Sequence, residues 1–181
     1  NHGFEAGAPL PHAHSQIIAT PIIPKRVVEE LEGARWHYES KERCIYCDII
    51  RQEQHSGKRV VVARDEFIAL EPFASRFPYE TWLLPVRHYS HFEMMPAEAY
   101  LSLALALKET LWRINLALDH PHYNFILHTS PVQEPPAAEY HWHLEIIPKL
   151  TKVAGFEWGT GFYINPVSPE ESAKFLREAG I

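Results

Sequence analysis

Cysteine is scarce in this chain: Cys44 and Cys47 are the only two in 181 residues. With two residues between them they sit too close for an ordinary structural disulfide, which leaves metal ligation or thiol exchange as their uses. Positive charge is scarce as well. Lys and Arg number 17 against 23 Asp and Glu, a net charge of -6, and no local basic cluster offsets the deficit. A nucleic-acid or anionic-membrane surface is therefore not expected. No apolar run approaches the length of a bilayer span, and no signal-peptide pattern stands at the start. These absences point to a cytoplasmic metalloprotein without nucleic acid or membrane among its partners.

What is present suffices for one sizeable core, or one domain and part of another, since 46% of the residues are apolar and 22% charged. The opening stretch, Asn1 to Leu10, has no initiator methionine and reads like the middle of a site, with Gly3 and Gly7 permitting close backbone approach. Residues 1–24 are expected to be the tail of something that begins upstream, with a strand from Ser15 to Ile23 bounded by Pro21 and Pro24. A helix is predicted from Lys25 to Ser40, burying Val27, Val28, Leu31, Ala34 and the stem of Arg35. After the Cys44-Ile-Tyr-Cys47 knuckle and a polar turn through Gln52 to Lys58, Val60–Ala63 and Phe67–Leu70 read as a hairpin and Tyr79–Leu84 as a third strand. Pro96 opens a long helix whose predicted inner face holds Tyr100, Ala104, Leu107, Leu111, Ile114 and Leu118, with Glu109 meeting Arg113 across one turn. Two strands, Tyr123–Thr129 and Tyr140–Ile147, and a short helix over Pro169–Arg177 complete an α+β pattern.

Three features carry chemistry. The knuckle brings two thiolates together, and a tetrahedral zinc site would need two further ligands, for which His88, His128, His141 and His143 are candidates. A thioredoxin-like reading wants the motif at a helix start in a βαβ unit, whereas here it is expected to precede a hairpin; plain buried thiols are a third reading. His141 and His143 alternate on one face of a strand whose other face carries Trp142, Leu144 and Ile146, so the pair is either solvated or coordinating. A surface position is a fair reading of His88, flanked by Arg87 and Tyr89. His12 and His14 share a face with Gln16. A histidine held by one ring nitrogen and aimed with the other suits attack on phosphorus, and an adjacent amide can donate to a phosphoryl oxygen. A metal-binding pair without catalysis is the alternative.

Five motifs, in order, carry a resemblance. Asn1-His-Gly-Phe-Glu-Ala-Gly-Ala-Pro-Leu-Pro-His-Ala-His-Ser-Gln16, Cys44-Ile-Tyr-Cys-Asp-Ile-Ile50, Pro72-Phe-Ala-Ser-Arg-Phe-Pro-Tyr-Glu80, Leu84-Pro-Val-Arg-His88 and His141-Trp-His-Leu-Glu-Ile-Ile-Pro148 resemble the galactose-1-phosphate uridylyltransferase family, the transferase branch of the histidine-triad (HIT) superfamily. The resemblance implies a HIT-like antiparallel sheet with helices packed on it. Residues 1–24 would end a first HIT-like domain, 25–41 would form a connecting helix, and 42–181 a second domain with a C-terminal extension. It implies His14 as the covalent nucleophile, Gln16 as its assistant, and His12 as a ligand of a first-domain zinc. Asn1, Gly7, Glu157 and Asn165 are expected to contact substrate, with Asn165 standing where the family often has a glutamine. Two second-domain metal patterns fit. One uses Glu30, His128, His141 and His143, with iron as an alternative metal; the other uses Cys44, Cys47, His88 and His141. The cysteine pair favours the second, because soft thiolates prefer zinc to an oxygen-rich set.

The implied reaction is ping-pong: a nucleotide sugar uridylylates His14 and releases hexose 1-phosphate, and a second hexose 1-phosphate then takes the group. An adenylyl-transferring relative or a nucleotide-sugar phosphorylase is the alternative within the class, and a non-catalytic zinc-bearing remnant the alternative outside it. A homodimer is expected of the complete enzyme, and slow or absent turnover of the 181 residues alone.

Overall fold

The computed structural model describes residues 1–8, 10, 12, 18, 20–132 and 134–180. His14, Gln16 and most of the expected first strand lie outside the described residues.

Five strands form one antiparallel sheet: β1 (Val60–Ala63), β2 (Phe67–Leu70), β3 (Thr81–Pro85), β4 (Tyr123–His128) and β5 (His143–Pro148), in the order β1-β2-β3-β5-β4. The hairpin β1–β2 turns where its sequence does, with Arg64 N donating to Phe67 O at 2.9 Å. β5 runs between β3 and β4, so all six of its residues are buried. Helices cover both faces. On one side lie α3 (Ala99–Ala117) and α5 (Pro169–Glu178), packed on Val61, Phe67, Ala69, Leu83, Trp142, Leu144 and Ile146. On the other lie α1 (Lys25–Lys41) and α2 (Ile45–Ser56), packed on Ile68, Leu70 and Leu84. A short helix, α4 (Gly155–Thr160), precedes α5.

The local chemistry explains several boundaries. Ser168 caps α5 through Glu171 N, with Pro169 as its first residue. α2 ends at Gly57, whose φ of 65° is costly for a residue with a Cβ. This helix replaces the expected polar turn. Its buried residues Tyr46, Ile50 and Glu53 follow helical spacing, but the third is a carboxylate, buried because Arg59 forms an ion pair with it. Sequence polarity therefore disguises an inward face.

Three further expectations shift. In α1 only Ala34 is buried; Val27 and Arg35 are exposed. The inner face of α3 is Ala99, Leu103, Ala106, Thr110 and Ile114, while Tyr100 and Ala104 are exposed. α3 also exposes Leu101, Leu105, Trp112 and Leu116, so it is apolar nearly all round and its periodicity does not single out one face. The expected Glu109–Arg113 pair is present at 3.2 Å. β5 starts at His143, which leaves His141 in the lead-in to the strand.

The face assignment is open to test. Ile114→Ala should cost about 2–5 kcal/mol in urea unfolding, as expected for a fully buried isoleucine, whereas Leu101→Ala should stay within about 0.5 kcal/mol. Similar losses for both would show that the outward stripe of α3 is packed in solution.

Candidate functional site

The face of β5 that meets α1 and α2 is ionisable. His141, His143 and Glu145 are all buried there, while Trp142, Leu144 and Ile146 enter the opposite core. α2 begins just after Cys44, so its first turn brings Cys44 and Cys47 toward this face. Contrary to expectation, the cysteine motif does start a helix, which removes one argument against thiol exchange. The surroundings supply a better one: the sheet is antiparallel, without a βαβ unit, and two imidazoles close on the thiols.

Cys44, Cys47, His88 and His141 form one cluster, with all four ligand atoms within 4.8 Å of one another. Cys47 Sγ lies 3.4 Å from His88 Nδ1 and 3.5 Å from His141 Nδ1. A tetrahedral ion with bonds of about 2.3 Å to sulfur and about 2.0 Å to nitrogen would place sulfur and nitrogen about 3.5 Å apart. The donor set fits such an ion. The far ring nitrogens are already committed: His141 Nε2 donates to Pro85 O at 3.0 Å and His88 Nε2 to Ala137 O at 3.2 Å. Those bonds fix the tautomers that leave both Nδ1 lone pairs free for a metal. Hydrogen bonding from Cys47, with further help from His141 and His88, favours the thiolate of Cys44; the same bond raises the pKa of Cys47.

Glu30, His128 and His143 form a second cluster beside the first. His128 Nδ1 lies 2.8 Å from Glu30 and its Nε2 3.2 Å from Glu145. Burial would lower the pKa of His128, but hydrogen bonds and charge from Glu145 and Glu30 outweigh it and hold the pKa at about 9. Burial and the charge of His128 push His143 down to about 4, so a neutral ring stacks on a charged one with centroids 4.5 Å apart. Glu30, despite burial, is held at about 2 by His128 and by His143, with Tyr140 adding a hydrogen bond. Tyr46 and Tyr140 both donate to Glu30 Oε1, at 3.1 and 2.6 Å. His141, which the two expected ligand patterns share, stands with the thiols. The network runs on from Glu145 to Arg76, whose guanidinium forms an ion pair with it.

Arg76 leads to a cavity of about 270 Å³, lined also by Phe77, Lys152, Glu157, Tyr163 and Ile164. Glu157 faces this cavity and accepts from Ala154 N at 3.1 Å, closing the first turn of α4. Asn165 is placed differently from expectation. Its amide donates to Ser75 Oγ at 3.0 Å and Phe77 O at 3.1 Å, so it fastens the cavity wall instead of lining the space. Asn1 and Gly7 come together on β4: Asn124 Nδ2 donates to Asn1 Oδ1 at 2.6 Å and to Ala6 O at 2.7 Å. His12 is exposed and belongs to neither cluster. Glu145, Arg76, Tyr46 and Tyr140 were not singled out from the sequence. Glu145 was findable, because it shares the two-residue period of His143.

Comparison with known proteins gives the same picture. The chain is 39% identical over its whole length to an ADP-glucose phosphorylase of Arabidopsis thaliana, covering 51% of that protein. It is 36% identical, again over its whole length, to a galactose-1-phosphate uridylyltransferase of Thermotoga maritima, covering 59% of it. A crystal structure of an ADP-glucose phosphorylase from Arabidopsis thaliana with bound ADP-glucose superposes with a TM-score of 0.90 at 38% identity, covering all of this chain and 57% of that one. The chain thus spans about half the length of these relatives. Residues 31–172 match the family described as galactose-1-phosphate uridyl transferase, C-terminal domain, a stretch that runs from the middle of α1 into α5 and includes the cysteine cluster, His128 and His143 of the second cluster, and the cavity, and the chain belongs to that family.

Proposed function

We propose that this chain forms the C-terminal part of a cytoplasmic, homodimeric nucleotidyltransferase that moves a uridylyl group from a nucleoside diphosphate sugar to a hexose 1-phosphate. Residues 1–24 close its first HIT-like domain, 25–41 connect, and 42–181 form the second. The observation that carries this reading is that the similarity to both relatives covers the whole chain, reaching beyond the matched domain to residues 1–30. His14 attacks the α-phosphorus in line, the bond to the sugar phosphate breaks, and hexose 1-phosphate leaves with the electron pair. Gln16 donates to a non-bridging oxygen as charge builds there. The acceptor phosphate then displaces His14. Glu157, beside Lys152 and Tyr163, is suited to sugar hydroxyls. The likeness to an ADP-glucose phosphorylase favours one second reading, in which the group is adenylyl and inorganic phosphate is the acceptor.

Zinc is the metal proposed for Cys44, Cys47, His88 and His141, since two soft and two borderline donors in a closed four-ligand set suit a structural zinc. There it would tie α2 to β5. Iron on Glu30, His128 and His143 is the competing assignment. Purified protein should hold about one zinc per chain, and Cys44→Ser should release it and destabilise the fold by several kcal/mol. His128→Ala should keep the zinc. Elemental analysis of both variants checks this; iron retained in Cys44→Ser and lost in His128→Ala would reverse the assignment.

The chemistry is tested in the full-length enzyme with UDP-glucose and ADP-glucose, each labelled at the α-phosphate. Quenching and peptide mass spectrometry should find label on His14, with none in His14→Gly, and Gln16→Ala should slow its transfer by about 100-fold. The sugar nucleotide that labels identifies the base, and release by galactose 1-phosphate or by inorganic phosphate identifies the acceptor. Label on His143 would overturn the nucleophile.

A further inference from the structure

Glu71, the first residue after β2, is fully buried on the α5 side of the sheet, away from both metal-type clusters. Thr81 Oγ1 lies 2.9 Å from its Oε1, and the same hydroxyl lies 3.1 Å from Tyr79 O. A hydroxyl has one proton to give. If Thr81 gives it to the Tyr79 carbonyl, the bond to Glu71 needs a proton from the carboxyl. Among the described residues neither Glu71 Oε2 nor Ser172 Oγ on α5 meets a partner at full hydrogen-bond geometry, although the Ser172 hydroxyl is near enough to Glu71 to favour its ionised form. No cation compensates among the described residues. The guanidinium of Arg59, whose carbonyl accepts from Glu71 N, is turned to Glu53 and Glu170. The remaining titratable groups around it, Tyr79 and Glu80 before β3 and Glu171 on α5, are neutral or of the same sign.

The position matters because residues 72–79 leave and return at this point. That loop carries Ser75, Arg76 and Phe77, which line the cavity or hold Asn165. Its base is strained: Tyr79 has a φ of 60°, unfavourable for a residue with a Cβ and kept only where surroundings enforce it. The Tyr79 ring packs against Phe175 of α5 with centroids 5.8 Å apart. One buried carboxyl therefore touches the base of one cavity wall and the helix that follows the other.

We propose that Glu71 is a positioning residue that, as a neutral carboxylic acid, ties the 72–79 loop to α5, and that loss of its proton loosens both walls of the cavity. The cavity's role in binding sugar phosphate rests on the function proposed above, whereas the coupling of Glu71 to the walls does not.

Burial pushes the Glu71 carboxyl up to about 8 from an ordinary value of 4.5. An acid raised in the closed state favours closure most below pH 4.5, loses that advantage as pH rises toward 8, and loses no more above it. Hydrogen exchange of residues 72–79 and 169–178 reads the opening directly, in the full-length enzyme and its Glu71→Gln variant at matched pH. The two should exchange alike near about pH 4, and the parent should exchange at least about ten-fold faster by about pH 8, with no further divergence beyond. Glu71→Leu serves for the pH dependence if the glutamine variant folds poorly, since it too cannot ionise. A parent-to-variant ratio that stays constant with pH overturns the proposal. Titration with galactose 1-phosphate and glucose 1-phosphate forms a separate arm. If exchange diverges as stated and neither sugar phosphate binds at any pH, the coupling stands and the functional reading falls.

Discussion

The structure depends on keeping paired a line of buried charge along one face of β5. Glu145 is almost fully buried beside the neutral ring of His143, and an uncompensated ion in such a place costs several kcal/mol. Each neighbouring element answers part of that demand. α1 brings Glu30, β4 brings His128, the 72–79 loop brings Arg76, and α2 with the lead-in to β5 brings tyrosines. α1 has only Ala34 in the core, so its place is set more by Glu30 than by apolar contact. The polar network therefore decides where a helix sits, a task usually left to hydrophobic burial.

Seen this way, the two clusters divide one strand's histidines between two kinds of chemistry. His141, ahead of β5, turns to sulfur; His143, within it, turns to oxygen. Once His141 is held by the thiol pair and by Pro85 O, the oxygen-rich set is left with two imidazoles and its carboxylates. The charged His128 then supplies the positive charge that Glu30 and Glu145 require between them. The division agrees with the softness argument that favours the cysteine set.

Much of this was legible in the sequence, for identifiable reasons. The strands of the hairpin, β3 and β5 carry period-two patterns or short apolar runs between turn residues, and they form with nearly the expected bounds. The histidine pair of β5 shows because it breaks an apolar run. What hides is inward-facing polarity. Glu53 conceals α2, Glu145 passes for an ordinary acidic residue beside the histidines, and Arg76 and Tyr140 gain meaning only from partners 69 and 110 residues away. Glu71 is silent too, since a glutamate before proline normally reads as exposed. The inner face of α3 stays hidden because the helix is apolar nearly all round and periodicity cannot rank its sides.

β4 has a consequence for handling the protein. It is the border strand of the sheet, and among the described residues its backbone pairs only with β5 and, through one bridge at Tyr123, with His2, while the Asn124 side chain holds Asn1 and Ala6. Phe125, Ile126 and Leu127 are each partly exposed, on both sides of the strand. Among the described residues the strand offers unpaired amides and carbonyls flanked by apolar side chains, with no proline or lysine within it to deter a second strand. A chain in this form is a template for edge-to-edge growth, so concentrated solutions should turn cloudy through ordered β-stacking of intact, folded molecules before any of them unfolds.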